Sequence, residues 1–172
     1  MARNIEIKAH VADMDALTAR AAAIADSGPV EIPQDDTFFR CDNGRLKLRT
    51  YADGTGELIF YRRANQDGPK ESFYVLAPTA SPDSLREALT LANGQAGRVI
   101  KHRTVFMVGR TRVHLDRVAG LGDFMELEVV LADDEPADVG VREAHELMAR
   151  LQIPAECLVE GAYHDLLRER AA

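Results

Sequence analysis

The sequence predicts an α+β fold built mainly from antiparallel strands, and three observations support this prediction. Segments throughout the chain alternate polar and apolar residues, as do strands with one polar and one apolar face. Turn-forming sequences separate them, among them Asp42-Asn43-Gly44, Asp53-Gly54-Thr55-Gly56 and Gln66-Asp67-Gly68-Pro69. Helical patterns occur at only four places. Together these features favour about eight strands in a single domain that covers residues 1–172.

The first half of the chain is predicted to contain one helix among five strands. A strand over residues 3–11 is followed by a helix that extends to about residue 26. Either Asp13 or Asp15 can cap this helix by accepting hydrogen bonds from its first N–H groups. Ser27-Gly28-Pro29 is a stop signal that ends it. Short strands are expected near residues 35–40, 44–51, 57–63 and 71–76.

The second half is predicted to contain the longer strands and three helices. Ser81-Pro82-Asp83 indicates a helix start, because proline in the first turn sacrifices no helical hydrogen bond. Asn93-Gly94 indicates the end of this helix. Strands are expected near residues 98–108, 111–118 and 123–132, and helices near residues 140–151 and 162–170.

Composition and charge limit the classes of function. The chain has 172 residues and a formal net charge of −7, which argues against a general nucleic-acid binder. A local basic cluster can still bind an anionic small molecule against this overall charge. Cys41 and Cys157 form no recognisable metal or redox motif and are expected to be reduced thiols. Without an apolar signal core or a membrane-length apolar run, the sequence predicts a soluble cytoplasmic protein with no membrane partner.

One face of the predicted strands collects charged residues whose signs differ from strand to strand. Glu126 and Glu128 share a face of one strand, whereas Lys47 with Arg49 and Lys101 with Arg103 share faces of two others. A solvated face explains the alternation in any single strand. Such a face usually mixes signs, however, and same-face neighbours about 7 Å apart can share a metal. The segregated pattern therefore favours a face that holds a divalent ion and a polyphosphate together.

Four segments that carry these charges, taken in order, resemble the CYTH superfamily of triphosphate tunnel metalloenzymes. They are Asn4-Ile-Glu-Ile-Lys8, Gly44-Arg-Leu-Lys-Leu-Arg49, Lys101-His-Arg103, and His114-Leu-Asp116 with Gly120-Leu-Gly-Asp-Phe-Met-Glu-Leu-Glu128. The resemblance extends from about residue 3 to residue 165. It implies an eight-stranded antiparallel tunnel barrel with a charged lumen and with helices packed outside.

The resemblance also implies roles for individual residues, with Mg²⁺ or Mn²⁺ as the cofactor. The acids on metal-binding positions are Glu6, Asp116, Glu126 and Glu128. The bases on triphosphate-binding positions are Lys8, Lys47, Arg49, Arg63, Lys101 and Arg103. Expected catalytic residues are Glu6, Lys8 and Arg103. Asn4 stands where the family usually has glutamate, and because an amide carries no negative charge, the number of bound metals stays open.

The resemblance implies a metal-dependent enzyme that acts on a triphosphate such as ATP or polyphosphate. Asp35-Asp-Thr-Phe-Phe39 and the segment around residues 120–128 are most similar to class IV adenylate cyclases, which convert ATP to cyclic AMP and pyrophosphate. The alternative is hydrolysis of inorganic, nucleoside or thiamine triphosphate. A polyphosphate-binding module without catalysis and a purely structural interaction protein also remain open. No nucleic-acid partner is expected, and whether the protein forms a homodimer is open.

Overall fold

A computed structural model of the chain describes residues 2–64, 66 and 68–172. Over these residues, eight antiparallel strands close into a barrel in the order β1-β5-β4-β3-β2-β6-β7-β8. The strands are β1 Ala2–His10, β2 Ser27–Phe39, β3 Arg45–Thr50, β4 Gly56–Arg63, β5 Lys70–Thr79, β6 Gln95–Val108, β7 Thr111–Val118 and β8 Gly122–Val130. Asp67, which the sequence assigns to a turn, lies outside the described residues. The predicted eight-stranded antiparallel barrel is confirmed.

Four α-helices lie outside the barrel in this part of the chain. They are α1 Met14–Ile24, α2 Pro82–Asn93, α3 Ala137–Arg150 and α4 Tyr163–Ala171. Asp13 caps α1, because its carboxylate accepts a hydrogen bond from the backbone N–H of Ala16 at 3.0 Å. Over the described residues, no helix is both long enough and apolar enough to span a bilayer.

The start of β2 differs from the prediction. Helix α1 ends at Ile24, and β2 already begins at Ser27, which pairs with Met107 of β6. Gly28-Pro29 therefore lies inside a strand rather than closing a helix. The strand tolerates proline here because the register between β2 and β6 shifts between Ser27 and Val30, and proline is accommodated at such irregularities.

The apolar faces of the strands point outward and are buried under the helices. One cluster combines residues of β1 and β8 with residues of α1 and α3, among them Ile7, Leu17, Met125, Leu127 and Leu147. Burying each such side chain contributes about 1.5–3 kcal/mol. Because strand side chains alternate, this burial directs Glu126 and Glu128 into the lumen, and a slip of one residue would turn them outward.

The start of α4 lies at one end of the lumen, hereafter the α4 end. Tyr163 packs there against Phe38, Val99 and Phe124 in a second buried cluster. Val105 lies six residues further along β6 than Val99, about 20 Å at 3.3 Å per residue. The end near Val105 is hereafter the far end.

Candidate active site

The lumen of the barrel is a cavity of about 360 Å³ whose lining includes twelve charged side chains. It contains nine of the residues that the sequence assigns to the site: Glu6, Lys8, Lys47, Arg49, Arg63, Lys101, Arg103, Glu126 and Glu128. Asn4 and His114 line it as well. Asp116 lies behind this lining, and the exposed His10 packs its ring against Phe124. Arg45 is directed to Asp165 of α4, at 2.7 Å.

A basic wall on β3 and β6 is organised by one buried aspartate. Asp36 of β2 accepts hydrogen bonds from Arg49 Nε at 2.8 Å and Arg49 Nη2 at 2.9 Å. It also accepts from Lys47 Nζ at 2.9 Å and Lys101 Nζ at 3.2 Å. The strand register produces this convergence, because Asp36 is directly opposite Arg49 on the neighbouring strand. Three cations thus share one carboxylate and remain close together.

Burial and charge shift the pKa values of this wall in opposite directions. Burial alone would raise the pKa of Asp36, but Arg49, Lys47 and Lys101 hold it well below its usual range. Burial lowers the pKa of Lys101 to about 7, an effect that Asp36 opposes and that Arg49 and Arg103 reinforce. Asp36 is therefore ionised at neutral pH, while the charge on Lys101 responds to an incoming anion.

An acidic wall on β8 faces the lumen from the other side. Glu126 lies 3.4 Å from Lys8 Nζ and accepts a hydrogen bond from Arg103 Nη2 at 3.0 Å. Glu128 accepts one from Arg112 Nε at 2.8 Å. Burial alone would raise the pKa of Glu126, but Lys8 and the other cations hold it well below its usual range. These ionised carboxylates supply the oxygen donors that Mg²⁺ and Mn²⁺ prefer, so the acidic wall fits a divalent ion.

Asp116 is fully engaged by its neighbours. Arg103 Nε and Nη2 donate to its two carboxylate oxygens at 2.7 Å each, a bidentate arrangement. The hydroxyl of Tyr163 donates to it at 2.8 Å. The side chain has no exposed surface. This geometry fixes the guanidinium of Arg103 so that Nη2 also reaches Glu126.

Two cations converge on a backbone carbonyl at the α4 end. Lys8 Nζ donates to the carbonyl oxygen of Gly161 at 2.9 Å, and Arg63 Nη2 donates to it at 2.8 Å. Arg63 Nη1 donates to Glu6 at 2.7 Å. Burial lowers the pKa of Lys8 to about 7, although Glu126 opposes the shift. The segment before α4 thus positions the two bases at this end of the lumen.

Several lumen atoms have no hydrogen-bond partner among the described residues. These buried atoms are Asn4 Oδ1, Gln34 Oε1, Arg63 Nε and His114 Nδ1. Buried polar groups are paired in most proteins, so a cluster of unpaired ones around a single cavity indicates that water, a polar ligand or an ion completes their hydrogen bonds.

The far end of the lumen is more apolar. Val105 and Ile32 line it, and the cavity lining also includes Ile59 and Leu76. The hydroxyl of Tyr51 donates to Glu57 at 3.3 Å. Leu76 keeps 49% of its surface exposed. This end provides a surface on which an organic group attached to a triphosphate could pack.

Sequence reasoning did not identify Asp36, Gly161 or Tyr163 as site residues. The alternation that places Lys47 and Arg49 on the lumen face applies equally to Asp36 and could have found it. Gly161 acts through its carbonyl group, and Tyr163 lies on a helix, so strand alternation carries no signal for either. Alternation along the strand places His114 on the polar face. Which side chains surround it depends on how the neighbouring strands are aligned, and alternation does not predict that.

Known proteins resemble this chain in sequence and fold. The CYTH domain family matches residues 2–163. Adenylate cyclase CyaB from Aeromonas hydrophila is 24% identical over 174 residues, which cover 96% of this chain and 88% of the relative. The PH1012 protein from Pyrococcus horikoshii has a TM-score of 0.85 at 19% identity, covering 95% of this chain and 99% of its own. HpAC1 from Hippeastrum, an adenylyl cyclase candidate described as having a dominant triphosphatase activity, has a TM-score of 0.68 at 18% identity; coverage is 97% and 96%.

Proposed function

The chain belongs to the CYTH domain family, and from that premise we propose that it is a metal-dependent enzyme that binds a triphosphate inside the barrel. Members of the family are metal-dependent and typically act on triphosphates. The observation that carries the proposal is the convergence of Lys47, Arg49 and Lys101 on one side of a cavity whose other side bears Glu126 and Glu128.

The charge of the lumen supports an anionic substrate. Its described lining contains seven lysine and arginine side chains and five carboxylates, an excess of two positive charges when every group is ionised. The whole chain has a net charge of −7. The cavity therefore opposes the overall sign of the protein, as expected of a site that concentrates a multiply charged anion.

The residues have distinct proposed roles. Arg49, with its planar fork, and Lys47 and Lys101, with their compact charges, bind and orient phosphate oxygens. Lys8, Arg63 and Arg103 grip the phosphate nearer the α4 end. Glu6, Glu126 and Glu128, with Asp116 as predicted from the resemblance, are the proposed metal-binding acids. When bound, a divalent ion such as Mg²⁺ or Mn²⁺ neutralises phosphate oxygens and stabilises the charge on the leaving group.

The leading reaction is cyclisation of ATP to cyclic AMP and pyrophosphate. The similarity to CyaB favours it, as does the apolar far end, where Ile32, Leu76 and Val105 could pack against an organic group. Hydrolysis of a triphosphate is the second candidate, favoured by the similarity to HpAC1. The basic and acidic walls serve both reactions, since each needs a held triphosphate and a metal.

Product analysis distinguishes the candidates. The protein is incubated with ATP, and separately with tripolyphosphate, in the presence of Mg²⁺ or Mn²⁺, and the products are resolved by chromatography. Cyclic AMP with an equal amount of pyrophosphate supports the cyclase. Orthophosphate from both substrates without cyclic nucleotide overturns it in favour of a triphosphatase. Tight binding of tripolyphosphate with no product would instead identify a binding module.

We also propose a single domain, a small-molecule triphosphate as the partner, no nucleic-acid or membrane partner, and a cytoplasmic location.

A further inference from the structure

His114 of β7 presents a buried nitrogen to the acidic wall. The residue is 4% exposed, and its Nδ1 has no hydrogen-bond partner among the described residues. Nδ1 lies 3.8 Å from Glu126 Oε2 and 3.9 Å from Glu128 Oε1, too far for a hydrogen bond. The imidazole nitrogen faces both carboxylates without a hydrogen bond to either. A small space therefore lies between this nitrogen and the two carboxylate oxygens.

The dimensions of this space suit a cation. One ligand atom from each of His114, Glu126 and Glu128 lies within 4.8 Å of the other two. A metal about 2.1 Å from each ligand separates its ligand atoms by about 3–4.2 Å, so a small contraction would complete the site. The Glu128 oxygen that faces His114 is Oε1, whereas Arg112 donates to Oε2. Glu128 can therefore bind a metal and keep its contact with Arg112.

Asp116 is less well placed for this ion. Both of its oxygens accept hydrogen bonds from Arg103, and Tyr163 donates a third. Three of the roughly four acceptor sites of its carboxylate are therefore occupied, and its side chain has no exposed surface. Glu126 Oε2 accepts one hydrogen bond, from Arg103 Nη2 at 3.0 Å, and keeps a lone pair for the ion. Asp116 therefore orients Arg103, whereas His114 presents a nitrogen without a hydrogen-bond partner to the acidic wall.

We propose that His114, Glu126 and Glu128 form a mixed nitrogen–oxygen metal site in which His114 Nδ1 is a ligand. This inference rests on the proposed metal-dependent function and specifies its metal site. Imidazole is a ligand for first-row transition ions, whereas Mg²⁺ strongly prefers oxygen. The site therefore favours Mn²⁺ over Mg²⁺ more than a site of carboxylates alone would.

The test uses Mn²⁺ as a paramagnetic probe of the full chain, first alone and then with tripolyphosphate. Electron spin echo spectroscopy detects nitrogen nuclei bonded to Mn²⁺. The wild-type protein should show nitrogen modulation, and its pattern should change when histidine alone is labelled with heavy nitrogen. His114→Gln should lose the modulation and weaken Mn²⁺ binding by at least about tenfold, the scale seen when even an outer-shell partner is removed. The matched control is His145→Gln on the exposed side of α3, which should retain both properties.

A titration with Mg²⁺ adds a second readout. His114→Gln should lose more affinity for Mn²⁺ than for Mg²⁺, because only Mn²⁺ gains appreciably from the imidazole. An equal loss for both ions would indicate a general structural effect and would overturn the ligand assignment.

The possible outcomes separate this inference from the function on which it rests. Bound Mn²⁺ without histidine nitrogen modulation overturns the ligand assignment but leaves the proposed function intact. Failure of Mn²⁺ to bind even with tripolyphosphate overturns both. If His114→Gln does not fold, the labelled wild-type spectrum still decides, because it depends on no variant.

Discussion

Replacing Asp36 with asparagine should destabilise the protein strongly in the absence of ligand. The substitution keeps the size of the side chain but removes the negative charge shared by Lys47, Arg49 and Lys101, all within 3.2 Å. Asp36 is 1% exposed, so water cannot replace it. Removing one partner of a buried ion pair costs about 3–5 kcal/mol. At 2–4 °C per kcal/mol for a chain of this size, the melting temperature should fall by about 6–20 °C.

The matched control is the adjacent aspartate. Asp35 points outward and pairs with Arg98, whose side chain is 62% exposed. Such a surface pair is worth at most about 1 kcal/mol, so Asp35→Asn should lower the melting temperature by less than about 4 °C. Differential scanning calorimetry measures both variants. An Asp36→Asn variant that melts within the range of Asp35→Asn would refute the reasoning.

Tripolyphosphate should reverse much of the defect. Its oxygens can compensate the cations that Asp36→Asn leaves unpaired, so a saturating concentration should raise the melting temperature of this variant more than that of the wild type. Equal increases in the two proteins would mean that the ligand binds elsewhere or does not contact these cations.

Three further predictions concern the lumen. Arg49→Ala should weaken tripolyphosphate binding by about 1–3 kcal/mol in isothermal titration, because it removes a charged phosphate contact, and an unchanged affinity would exclude Arg49 from the site. Glu126→Gln combined with Glu128→Gln should abolish metal binding and turnover, and intact turnover would show that the metal is held elsewhere. Burial lowers the pKa of Lys101 from 10.5 to about 7, so its amine is mostly neutral at pH 8. A bound triphosphate favours the protonated form and should raise that pKa. Binding at about pH 8 should therefore take up protons, measured by titration in buffers of different ionisation enthalpy, and Lys101→Met should reduce the uptake.

The alternation of residues predicted which side chains share the lumen, but not what each one contacts there. Because side chains alternate along a strand, the position of Glu126 or Lys47 within its own strand is enough to assign it to a face. The sharing of Asp36 by three cations depends on how β2 is aligned with β3 and β6, which alternation does not determine. Closure of the strands into a barrel also depends on how the strands are aligned, so its prediction came from the family resemblance and not from alternation. The predicted start of β2 was wrong because Gly28-Pro29, although it follows the end of α1, lies in a segment that pairs with β6 from Ser27 onward.

The lumen must present basic side chains to a ligand, yet burying their charges opposes folding. The buried acids reconcile these two requirements. Seven lysine and arginine side chains line a narrow cavity, and without counter-charges the desolvation of their charged forms would oppose folding. Asp36 and Asp116 supply negative charge from inside the protein, and each also fixes the geometry of an arginine. Lys47 and Arg49 both contact Asp36, yet their side chains keep 15% and 11% of their surface exposed. A triphosphate can therefore reach Lys47 without displacing the aspartate. Preorganised cations lose little freedom on binding, and this offsets part of the repulsion between the buried acids and an anionic ligand.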